Sequence, residues 1–221
     1  MCDNCPNDYN PTQDPSVCTP AIQPLCNMLP VDVLIVIDGS YRSSTSDADF
    51  ANLARIAKEH VAWRLDLGAQ AVQCAIGIVD EREFLRVRWQ DTYSNAELGS
   101  ELDVLVPNLN KGLALSGSMP KFTNYFIDWN GWRGGSTMVL YFGQNTAGDR
   151  TRRLALRMHN FFGDVGIPVH VFSFGMNAAE AAAMDYDQPD SFSSFTDPSI
   201  GPAISAVLAS LCAEAPTMPG K

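Results

Sequence analysis

Two groups in this chain stand close enough to act together after an apolar run: the carboxylate of Asp38 and the hydroxyl of Ser40, in Asp38-Gly39-Ser40. Spaced two residues apart, they could offer hard oxygen ligands to a divalent cation. They could also centre a small hydrolase, although phosphoryl transfer would want a second acid where Ser40 stands. No other catalytic pattern is present: there is no Gly-x-Ser-x-Gly, no phosphate-cradling Gly-x-x-x-x-Gly-Lys-Ser/Thr and no dinucleotide fingerprint. His60, His159 and His170 are scattered, without a metal-binding pair spacing. His170 falls in an apolar run and reads as a core histidine with a satisfied partner. Neither an enzyme nor a cofactor is expected.

Cysteine usage sets the compartment. Cys2, Cys5, Cys18 and Cys26 crowd the polar first 26 residues, while Cys74 and Cys212 stand alone. An even count with a dense polar cluster reads as disulfides formed in an oxidising compartment. A zinc site on Cys2-x-x-Cys5 is the alternative, but a second Cys-x-x-Cys is missing. Cys212 is expected to pair with an N-terminal cysteine. Cys74 shares a strand face with Ile76 and Ile78 and is expected to be a buried free thiol. No signal peptide is visible, so a secreted reading takes the leader as already removed.

The chain has 221 residues and a formal charge of −10. Such acidity argues against nucleic acid and against anionic membrane surfaces, both of which need clustered Lys and Arg. No apolar run approaches the ~20 residues of a spanning helix. Arg150, Arg152, Arg153 and Arg157 cluster against this trend, as a solvated helix face or a patch for an acidic partner. Trp129 and Trp132 are either exposed contact residues or packing at the core's edge.

The elements that must position these groups follow from periodicity. Residues 1–30, rich in Pro, Asn, Asp and Cys, form an extended arm without strand or helix period. Val31–Asp38 reads as a strand buried on both faces. Asp47 is the expected N-cap of a helix carrying Phe50, Leu53, Ala57, Val61 and Leu65 at helical spacing, with Gly68 as its stop. Strands are expected at 71–79, 84–89, 137–142 and 167–174. The one at 84–89 alternates apolar residues with Arg86 and Arg88, as an antiparallel edge does. Helices are expected at 96–106, 111–129 with a kink at Pro120, 150–162, 178–184 and 200–212. This alternation predicts an α/β fold: a doubly wound, mostly parallel sheet with helices on both faces, over 31–213, and a tail at 214–221.

The run from Val33 into Asp38-Gly39-Ser40 and the strand Ala75-Ile76-Gly77-Ile78-Val79 resemble the von Willebrand factor A family, as do Asn110-Lys111-Gly112-Leu113-Ala114-Leu115, the strand through Phe142 and a final helix ending at Cys212. The resemblance implies an extracellular, secreted module for protein binding or cell adhesion. In that family a metal-ion-dependent adhesion site takes an Asp-x-Ser-x-Ser loop, a Thr from a second loop and an Asp from a third. Asp38 and Ser40 match the first loop, but the second serine position is Arg42, the threonine falls at Leu109 and the aspartate at Gly143 or Gln144. Arginine has no lone pair to donate. A degenerate site without Mg²⁺ is therefore expected, with either Arg42 or Lys111 standing in for the cation beside Asp38, or Asp38 only capping the following loop through backbone N–H groups. The candidate binding face is Asp38, Ser40, Arg42, Lys111, Gln144 and Asn145, and any metal would rest on Asp38 and Ser40. Two alternatives remain: a metal-dependent module with compensating oxygens from Asn110 or Asn145, and the hydrolase on Asp38 and Ser40. The partner is expected to be an extracellular protein, and the N-terminal cysteines could bridge chains.

Overall fold

The computed structural model describes residues 31–38, 46–65, 67, 72–79, 84–87, 89, 94–105, 132–133, 136–144, 167–175 and 190–213. The first strand, β1 (Val31–Asp38), is built largely from Val and Ile, whose branched side chains suit a pleated surface. It lies between β2 (Val72–Val79) and β4 (Ser136–Gln144), parallel to both. Beyond β2 lies β3 (Phe84–Val87), antiparallel and with a register shift between Ile76 and Gly77. On the other side, β5 (Val169–Phe174) pairs parallel with β4, and β6 (Asp190–Phe192) parallel with β5. The strand order is therefore β3-β2-β1-β4-β5-β6. β6 was not expected from the sequence, since three residues are too few to show a period.

Both faces of the sheet are buried. Ile35, Ile37, Ile76, Leu140, Phe142, Phe172 and Phe174 face a core shared with α1 (Asp47–Ala57), α2 (Asn95–Asp103) and α3 (Ile200–Ala213). Leu34, Val36, Ala75, Val139 and Tyr141, which alternate with them, are buried as well. Cys74 lies in the core as a free thiol, and desolvation pushes its pKa far up. It is an inert packing residue, as read from the sequence.

The helix starts refine the expectations. The cap of α1 is Ser46, not Asp47: its hydroxyl accepts from Asp49 N–H, and the Asp49 side chain accepts from the Ser46 backbone. A capping box of this kind normally carries Glu or Gln at its third position; the shorter Asp does the same work here. Ser46→Ala is expected to lower stability by about 1 kcal/mol, read as a fall in the denaturant midpoint with an unchanged slope. Ser94 and Glu97 repeat the box at α2, which begins at Asn95 rather than 96 and ends before the exposed Val104.

α1 does not run on as a regular helix. It widens into a π turn (Lys58–Ala62), closed by Trp63 N–H donating to Lys58 C=O at 3.0 Å. The wide turn still keeps Val61 and Leu65 buried with Phe50, Leu53 and Ala57. Asn95 pins its end, with Nδ2 donating to the carbonyls of Ala62 and Leu65 at 2.6 Å each. Lys58 bridges to Asp103 of α2 at 2.7 Å and sits 4.9 Å over the Trp63 ring.

The strand read as apolar hides a charge. Asp32 is fully buried at the amino end of β1, where Arg133 meets it. Arg133 donates to Asp32 through Nε at 2.8 Å, through its own backbone N–H at 3.1 Å and through a second guanidinium nitrogen, which also reaches Val31 C=O at 2.7 Å. Burial pushes the Asp32 carboxyl above the usual carboxylate range, against the lowering effect of Arg133. Beside this pair, Trp132 is half-buried and donates its indole N–H to Thr137 at 2.7 Å. Trp132 is thus packing at the sheet's amino end; Trp129 lies outside the described residues.

Candidate functional site

In a doubly wound sheet the strand order reverses at one point, and ligands bind in the crevice beyond the carboxyl ends of the strands there. Here that point lies between β1 and β4, because the chain passes from β1 outward to β2 and β3 and then returns to β1's other side. Ile37 pairs with Phe142, so Asp38 stands one step on, level with Gly143, and Gln144 follows. The switch point therefore brings Asp38 and Gln144 together at strand ends. Ser40, Arg42, Lys111 and Asn145 lie outside the described residues, as do Leu109, Asn110, His159 and the arginines of 150–157. Cys2, Cys5, Cys18 and Cys26 also lie outside them, and Cys212 falls within α3.

Of the two β4 positions that could have held an acid, register selects Gly143 as the one level with Asp38. Its backbone is ordinary strand, so glycine is not there for its conformational freedom. A Cβ built on Gly143 would lie only 2.8 Å from Cε1 of Tyr141, and 3.4 Å from that ring's Cζ and hydroxyl oxygen. Next to it, the side-chain oxygen of Gln144 is buried and accepts no hydrogen bond among the described residues. A divalent cation takes about six oxygen ligands. Among the described strand ends, Asp38 is the sole carboxylate, and the place for a second is occupied by an aromatic ring.

His170 is half-buried on β5 rather than a core residue. Asp190 of β6, level with Phe172, has its carboxyl raised by burial and lowered by the nearby charge of His170. Both residues lie near the amino ends of their strands, at the other end of the sheet from Asp38.

A cavity of about 640 Å³ opens elsewhere, between α1 with its π turn and α3, lined by Arg55, His60, Arg64, Phe195, Asp197 and Pro202 among others. None of the sheet-end residues reaches it. Its charges are already engaged: Arg55 bonds Glu59 at 2.7 Å and Phe195 C=O at 3.2 Å. Asp197 accepts from the Ser199 hydroxyl at 2.6 Å and from its N–H at 3.0 Å, which holds its carboxyl below the usual range.

No protein-family model matches the chain, and no curated protein matches its sequence. Solved structures do match in fold. Proximal thread matrix protein 1 from the mussel byssus aligns at a TM-score of 0.58 and 17% identity over 83% of this chain. A second structure of that protein, with a zinc-occupied MIDAS motif, aligns at 0.56 and 16% over 82%. The chain spans 46% of that protein's length. The conserved hypothetical protein BatB from Bacteroides thetaiotaomicron aligns at 0.54 and 15% identity, over 83% of this chain and 100% of its own. Identities this low speak for the fold alone. Strand order, switch point and these likenesses agree: the chain has a von Willebrand A-type fold.

Proposed function

We propose that the chain is an extracellular protein-recognition module of the von Willebrand A type, not an enzyme, and that it meets its partner at the carboxyl edge of the sheet without a divalent cation. The observation that supports this most is the level placement of Asp38 and Gly143 across the switch point. The crevice is where such folds present ligands, yet the β4 position level with Asp38 has no side-chain oxygen to give. Arg42, at the second serine position of the first loop, and Leu109, at the threonine position, point the same way. The N-terminal cysteines support an oxidising, extracellular setting, and no described helix is long and apolar enough to cross a membrane.

The test is binding of the full chain to extracellular proteins captured from its source, with and without chelator. Capture is expected to survive chelation and to weaken about tenfold or more in Asp38→Ala, as loss of an interface anchor does. Capture abolished by chelator would return the metal-dependent reading. Capture unchanged in Asp38→Ala would move the interface away from this edge.

A further inference from the structure

We propose that Tyr141 plugs the carboxyl edge: its ring fills the space into which a β4 carboxylate would project, so that cation exclusion rests on a Tyr141–Gly143 pair rather than on a missing acid alone. This rests on the cation-free reading above and names the residue that enforces it.

Tyr141 and Gly143 are two apart on one strand and so share a face, the one opposite Leu140 and Phe142. The Tyr141 ring is 2% exposed and leans toward the strand's end, bringing Cε1 to 2.8 Å from where a Cβ on Gly143 would stand. Carbon atoms do not rest that close, since attraction is greatest at about 3.5–4.0 Å. Any side chain at 143 must therefore displace the ring before its own functional group is considered. The ring is buried in close-packed surroundings, so its displacement carries the cost of overpacking. The Tyr141 ring thus takes the space that a side chain at 143 would need, and leaves a neutral phenol there in place of a carboxylate.

The experiment is a double-mutant cycle on the full chain, with Gly143→Ala made in the native and in the Tyr141→Val background. Alanine adds only the Cβ in question, so the cycle reads the clash without the burden of a buried carboxylate. Gly143→Ala alone is expected to lower the unfolding midpoint by about 3–8 °C. In the Tyr141→Val background the same change is expected to cost less than half as much. Equal costs in both backgrounds would overturn the plug. Gly143→Asp follows the same logic and is expected to be tolerated only with Val at 141. Mn²⁺ titration by electron paramagnetic resonance separates the two claims. Stoichiometric Mn²⁺ uptake by the wild-type chain would overturn the cation-free reading itself, whereas additive costs without uptake would overturn the plug alone.

Discussion

Replacing Arg133 by methionine is expected to cost about 3–5 kcal/mol at neutral pH, because it strands a buried carboxylate. Asp32 is 0% exposed, while its partner is 20% exposed. Every hydrogen bond shown to the Asp32 carboxylate comes from Arg133. The pH dependence has a definite sign. Burial already holds the Asp32 carboxyl above its ordinary value in the folded state, and Arg133 opposes that rise. A carboxyl raised on folding binds more protons folded than unfolded, so its contribution to stability falls as pH rises from the unfolded pKa through the folded one. Removing Arg133 raises the folded value further. The deficit of Arg133→Met is therefore expected to be largest at neutral pH and to shrink as the solution is acidified and Asp32 becomes protonated in both proteins. Urea unfolding of both proteins at a series of pH values checks this. A deficit that stays the same on acidification would mean that the guanidinium supports the fold by packing and not by charge. Asp32→Asn combined with Arg133→Met is expected to recover part of the loss, since an amide is cheaper to bury than an unpaired anion.

Phe174→Ala is expected to cost about 3–5 kcal/mol through lost burial and the cavity left behind. The ring is fully buried at the end of β5. It packs against Phe192 of β6 with centroids 5.2 Å apart, and against Phe195, in the segment leading to α3, also at 5.2 Å. Offset aromatic pairs add about 0.5–1.5 kcal/mol each beyond their area. A single side chain thus holds the last strand and the approach to the last helix. Its removal is expected to raise hydrogen exchange first at Gly175, whose N–H donates to Phe192 C=O at 2.8 Å. Phe174→Leu should keep most of the stability. Equal loss in both variants would mean that aromatic geometry, not volume, holds β6.

The sheet was legible because its inner strands are short, continuous apolar runs bounded by polar turns, and no helix of useful length fits eight such residues. The same reading passed over Asp32, since its partner lies 101 residues away and nothing local marks it. β6 was missed for a related reason: Asp190–Phe192 belongs to the sheet through parallel pairing with β5 and the Phe174 contact. The π turn leaves no sequence trace, because Lys58–Ala62 keeps a helix-compatible pattern and the widening comes from packing. At the site, the resemblance to the von Willebrand factor A family narrowed the third-loop position to Gly143 or Gln144, and strand register chose between them. The direction of the Tyr141 ring is a rotamer, settled by its neighbours in space.

Both margins of the sheet are brief among the described residues. β3 has four residues and meets β2 across an irregular register, while β6 has three and begins with an acid. A neighbouring molecule seeking to extend the sheet would find few free amide and carbonyl groups in line on either side. Strand-to-strand stacking through these described edges is correspondingly discouraged.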